Sequence, residues 1–121
     1  MPKILVIDDD ESFNLMLKTT LGLAGYDVDT AKNGLEAKKL YSVQKYDVVI
    51  TDIIMPEQDG FEVILELRRL NQAQNVIAIS GGGRTSANDY LAVAKQFNIA
   101  AVFHKPIDRK ALLKKVGELT V

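Results

Sequence analysis

The chain contains no cysteine and a single histidine in 121 residues. The first absence excludes disulfides, thiolate metal sites and thiol catalysis. One histidine, His104, makes no imidazole metal cluster, and a lone histidine is more often a packed or surface residue than a ligand. Charge of one sign is missing as well. Fifteen Lys and Arg face 16 Asp and Glu, a net charge of −1, so nothing in the balance points to nucleic acid or to an anionic membrane. No apolar run approaches the ~20 residues that span a bilayer. Met1-Pro2-Lys3 leads directly into an apolar segment without a signal-peptide layout. These absences lead us to expect a cytoplasmic protein with no membrane and no direct nucleic-acid partner.

What remains has the composition of a globular protein, 47% apolar and 26% charged. Residues 1–121 are enough for one domain with one core, and no linker, repeat or low-complexity tract divides them. Apolar runs alternate with helix-period segments throughout. The expected strands are Lys3–Ile7, Tyr26–Ala31, Asp47–Thr51, Val76–Ser80 and Ile99–Phe103. Four are near-continuous Val/Ile/Leu/Ala stretches, as in parallel strands covered on both faces. Tyr26–Ala31 alternates instead and suits an edge.

Five amphipathic segments separate or follow the strands. The first carries Phe13, Met16, Leu17, Thr20, Leu21 and Ala24 on one face, with Gly25 as its stop. A second opens at Asn33-Gly34 and reaches about Gln44, with Leu35 or Ala37, Leu40 and Tyr41 inward. The third follows Asp59-Gly60 and offers Val63, Ile64, Leu67 and Leu70. Ala87, Tyr90, Leu91, Ala94 and Phe97 define the fourth. Asp108 caps the fifth, with Leu112, Val116 and Leu119 inward. Such alternation implies an α/β, doubly wound, five-stranded parallel sheet, for which the strand order 2-1-3-4-5 is the common solution.

In an open parallel sheet, ligands bind beyond the C-terminal strand ends. Asp8 and Asp9 follow the first strand there, and Asp52 follows Thr51 of the third. Two carboxylates about 4 Å apart repel by roughly 4 kcal/mol at an effective dielectric near 20. A hard divalent cation is the usual compensation, so these acids form a candidate metal pocket. Asp10, by contrast, reads as a helix N-cap. Asp52 is preceded by a buried strand and followed by a loop, so no cap explains it. A strand-end carboxylate beside a cation can attack phosphorus and form an acyl phosphate, a reaction that needs mainly positioning and charge neutralisation. Lys105 closes the fifth strand on the same rim. Pro106 restricts its backbone and can hold a cis bond in a tight turn. Ser80 ends the fourth strand and can donate a hydroxyl to a phosphoryl oxygen. Gly81-Gly82-Gly83 lacks the Lys-Ser/Thr pair of a nucleotide-binding loop and reads instead as a turn whose N–H groups can reorient.

Taken together, Ile4-Leu5-Val6-Ile7-Asp8-Asp9, Asp52-Ile53-Ile54-Met55-Pro56 with Asp59-Gly60, Ser80 and Lys105-Pro106 resemble a response-regulator receiver domain. That is the phosphoacceptor half of two-component signalling, and the chain is similar to its chemotaxis-type members over essentially its whole length. The resemblance implies a flavodoxin-like (βα)5 fold and phosphorylation of Asp52 by a sensor histidine kinase or a histidine phosphotransfer protein. It implies Mg²⁺ held by Asp9, Asp52 and the carbonyl of Ile54, with Asp8 acting through water. Ser80 and Lys105 would grip the phosphoryl oxygens. Catalysis would be confined to the chain's own phosphorylation and dephosphorylation, so it would not be an enzyme on other substrates.

Output would pass to a downstream protein through the face of the fourth and fifth predicted helices and the fifth strand, where a homodimer could also form. Two positions depart from the family pattern. Val102 stands where an aromatic residue is usual, three before the lysine, and Phe103 faces the other way. Ile54 and Gly82, two residues after Asp52 and Ser80, cannot position water with a polar side chain. Val102 leaves a degenerate receiver, an interaction module independent of phosphorylation, as the alternative. A Mg²⁺-dependent phosphatase is disfavoured, since Ile54 stands where a general-acid aspartate would be needed.

Overall fold

The computed structural model describes residues 1–52, 60–80 and 98–121. Five strands, β1 Lys3–Ile7, β2 Asp27–Ala31, β3 Val48–Asp52, β4 Asn75–Ser80 and β5 Ala101–His104, form one parallel sheet in the order β2-β1-β3-β4-β5. Helices α1 Glu11–Leu23, α2 Gly34–Val43, α3 Gly60–Leu70 and α4 Arg109–Leu119 cover it. α4 corresponds to the fifth helix expected from the sequence. The fourth expected helix, with its Ala87 to Phe97 face, lies outside the described residues.

Period-two side-chain alternation along the strands divides the core between two faces. Ile4, Val6, Val28, Val48, Ile50, Ile77 and Ile79 meet Leu17 and Leu21 of α1 and Leu112 and Val116 of α4. Leu5, Ile7 and Val49 meet Ala37 of α2 and Val63 and Leu67 of α3. Ile64 of α3 packs with Val76 and Ala78. β3 is buried at all five positions, which is why its sequence shows no polar alternation. β2 is an edge strand, as its pattern suggested. Val102 and Phe103 pack into different clusters, so they face opposite sides of β5.

Side-chain oxygens close three of the helix starts. Asp10 accepts from the Ser12 and Phe13 amides, Asn33 from Glu36, and Asp108 from Lys110 and Ala111. Gly25 (φ +99) follows α1 in the left-handed conformation that the turn requires. Several details differ from the sequence reading. Of the two alternatives in α2, Ala37 is buried and Leu35 is exposed. Leu70, placed inward by periodicity, is exposed at the last position of α3. Ala24 is the C-cap of α1 and is exposed rather than on its inner face. Strands β2 to β5 begin or end one or two residues from the expected limits. Replacing Asn33 by alanine removes the acceptor for the Glu36 amide; urea unfolding should show a loss of about 1 kcal/mol.

Candidate functional site

β1 and β3 are adjacent, with Ile7 opposite Thr51, and the direction of winding reverses between them. The residues just beyond Ile7 therefore meet the end of β3 at the topological switch point, where an α/β sheet opens a crevice. One carboxylate oxygen from each of Asp8, Asp9 and Asp52 lies within 4.8 Å of the others. Asp8 and Asp52 are buried and Asp9 is exposed, which leaves the cluster open to solvent on one side.

Lys105 completes it. Its Nζ is 2.9 Å from Asp8 Oδ2 and 3.7 Å from Asp52 Oδ2. The Lys105 amide donates to the Ser80 carbonyl at 3.0 Å, so the ends of β4 and β5 are tied where the lysine leaves the sheet. The Lys105-Pro106 bond is cis. Ser80 is the last residue of β4, buried, and one position beyond Ile79, the partner of Asp52.

The two oxygens of Asp8 have different surroundings. Oδ1 accepts the Asp10 amide at 2.9 Å. Oδ2 is buried and faces the Lys105 ammonium. Burial raises the Asp8 pKa most. The Asp10 amide and Lys105 pull it down, the Asp52 charge pushes it up, and it settles at about 6. For Lys105, burial favours the neutral amine, but contact with Asp8 and the charges of Asp8 and Asp52 prevail and hold its pKa above the ordinary value.

Three carboxylates with one oxygen each within 4.8 Å of the others, two of them buried, are a suitable ligand set for a hard oxygen-seeking cation. Asp10 serves as the α1 cap and not as a member of the cluster, as its position suggested. Ile54, Gly81, Gly82 and Gly83 lie outside the described residues.

Two neighbours of the site were not singled out by sequence. Asn14 is buried on α1, and its Nδ2 donates to the carbonyls of Asp8 (2.8 Å) and Ala31 (3.2 Å). It joins the end of β1 to the end of β2. The available signal was its place in the inward stripe with Leu17 and Leu21, where a polar residue needs internal partners. Phe13, read only as core, has its ring centroid 4.2 Å from Lys105 Nζ.

The family model "response regulator receiver domain" matches residues 4–117. Among solved structures, chemotaxis protein CheY4 of Vibrio cholerae is 30% identical with a TM-score of 0.87, and the match covers 98% of each chain. Response regulator TrrA of Thermotoga maritima, in complex with Mg²⁺-BeF, is 33% identical with a TM-score of 0.84 over 98% of this chain and 99% of that one. Among curated proteins, sensor protein EvgS of Escherichia coli is 38% identical across 71% of this chain and 7% of its own length. The probable transcriptional regulator ycf27 of Cyanidium caldarium is 34% identical across 98% of this chain and 53% of its own. The chain thus spans only part of these curated relatives. Five parallel strands in the order 2-1-3-4-5, an acid cluster at their switch point and the match over residues 4–117 lead to one conclusion: the chain belongs to the response regulator receiver domain family.

Proposed function

We propose that the chain accepts a phosphoryl group on Asp52 from a histidine of a sensor kinase or a phosphotransfer protein, and that the acyl phosphate switches a protein-interaction surface. The observation that carries this reading is the Asp52 carboxylate, held at the end of β3 with the Lys105 ammonium 3.7 Å away and two further acids beside it. In the transfer, a carboxylate oxygen of Asp52 bonds to phosphorus as the P–N bond to the donor histidine breaks, and the nitrogen keeps the electron pair. Lys105 needs only a small displacement to leave Asp8 for an oxygen on Asp52. Its positive charge then favours the new dianion. Ser80, ending the neighbouring strand, is the hydroxyl partner in this reading.

Asp8, Asp9 and Asp52 are the side chains that would hold Mg²⁺, with the Ile54 carbonyl as the further ligand. The cation would supply neutralisation of the charge gathered on the acids and the phosphoryl oxygens. That TrrA was obtained with Mg²⁺-BeF supports the same chemistry here. The chain acts on no separate substrate in this reading; phosphorylation and its hydrolysis occur only on itself. Relatives named as sensor and transcriptional regulatory proteins support a signalling role, and the site of action in this reading is the cytoplasm. The downstream contact is a protein, reached through the surface around β5 and α4.

Incubation with Mg²⁺ and a small acyl phosphate, followed by intact mass measurement, should show one added phosphoryl group. Asp52→Asn should show none. An adduct that persists in Asp52→Asn would remove the assignment. Its absence from the unmodified protein would favour the phosphorylation-independent module.

A further inference from the structure

Lys105 is held by more than the two acids. Its ammonium lies over the face of Phe13, 4.2 Å from the ring centroid, while Asp8 and Asp52 approach at 2.9 and 3.7 Å. The ring is itself fixed. Phe13 stands in the first turn of α1, its amide donates to the Asp10 cap at 3.2 Å, and its side chain packs against the core shared by α1 and α4. β5 contributes no aromatic ring at Val102, which packs with Ile64, Val76 and Ala78 on another part of the sheet.

We propose that Phe13 is a positioning residue that seats the Lys105 ammonium beside Asp52. This rests on the phosphoacceptor reading above. Lysine is a compact charge on a flexible four-carbon stem. With acids alone as partners, the ammonium would follow whichever carboxylate carries more charge. A π face attracts the cation regardless of how charge divides between Asp8 and Asp52, and it does so without offering another acceptor oxygen. The ring therefore limits the ammonium to a short arc between the two carboxylates, from which it can reach a phosphoryl oxygen. Sequence alone gave Phe13 the appearance of a core residue because its side chain does pack against the core, while the same ring also meets Lys105.

Two readouts test the seat, one of them independent of phosphorylation. In the unmodified protein, the Lys105 ε-methylene protons should be shifted upfield in NMR spectra by the ring current, and Phe13→Leu should abolish that shift. Phosphorylation by a small acyl phosphate should slow about two- to tenfold in Phe13→Leu, the range expected of a partly exposed cation–π contact. Phe13→Tyr and Phe13→Trp should stay near the unmodified rate. A trifluorinated phenylalanine at position 13 keeps the ring's shape and packing but withdraws its negative face, so it should fall toward the leucine variant. In a Lys105→Met background, Phe13→Leu should have no further effect on rate. An absent upfield shift, or a trifluorinated protein as fast as the unmodified one, would overturn the seat. Should the unmodified protein take no phosphoryl group, the phosphoacceptor reading falls by itself, and the ring-current shift alone decides the role of Phe13.

Discussion

Asp8→Asn should make the protein more stable at neutral pH in a chelating buffer, by about 1–3 kcal/mol. The reason is the elevated pKa. Burial pushes Asp8 to about 6 from an ordinary value of 3.8, so the folded state disfavours the carboxylate relative to the unfolded chain. Between roughly pH 4 and pH 6 the native protein binds more protons at this site than the unfolded one. The contribution of Asp8 is therefore most favourable below about pH 4, declines as pH rises through 6, and is level above it. Asparagine has the shape of the protonated acid and does not titrate. Urea unfolding of both proteins from pH 4 to pH 8 should give curves that coincide at the acidic end and separate at the neutral end. A gap that does not change with pH, or a less stable variant at pH 7, would contradict this. Added Mg²⁺ should narrow the gap from the other side, because ligand binding to the native state stabilises only the protein that keeps its acids.

Lys105→Met should act in the opposite sense, with a loss of about 2–4 kcal/mol at pH 8. Removing one partner of a buried pair typically costs about 3–5 kcal/mol, and the lysine's 24% side-chain exposure reduces that figure. Methionine keeps most of the apolar stem but leaves Asp8 and Asp52 facing each other without the ammonium. Asp8 then has less reason to ionise, its pKa rises further, and the loss shrinks on acidification as the acid takes up its proton. The measurement is again urea unfolding against pH, with and without Mg²⁺. Equal stability of the variant and the unmodified protein at pH 8 in chelator would show that Lys105 does not compensate the acids. Asp8→Asn added to Lys105→Met should recover a large part of the loss, since neighbouring charges are coupled and their effects do not add. The two substitutions thus test the two sides of one ion pair.

The acid–lysine site was largely legible in the sequence, because each member ends or follows a strand. A buried parallel strand declares itself as a run such as Ile4-Leu5-Val6-Ile7 or Val48-Val49-Ile50, and a charged residue immediately after it has one direction to go. Asp8, Asp9, Asp52 and Lys105 were found in this way and do converge. Asn14 escaped because a polar residue in a helix has a solvated face as its ordinary place. Its burial depends on two strand-end carbonyls, of Asp8 and Ala31, that no pattern within α1 records. Leu70 failed in the opposite direction. Its spacing from Val63 and Leu67 is correct for an inward face, but it is the last residue of α3 and is exposed there.

Residue order alone determined the alternation of strands and helices, the parallel sheet and the rim on which chemistry would sit, since burial on both faces or one leaves a period in the apolar residues. Only the tertiary structure decided how the rim's charges divide their roles. Which acid is buried, which oxygen of Asp8 meets the ammonium and which ring lies under Lys105 depend on distances of a few ångströms between segments far apart in the chain. Electrostatic and π contacts change steeply over such distances and leave no periodic trace in sequence.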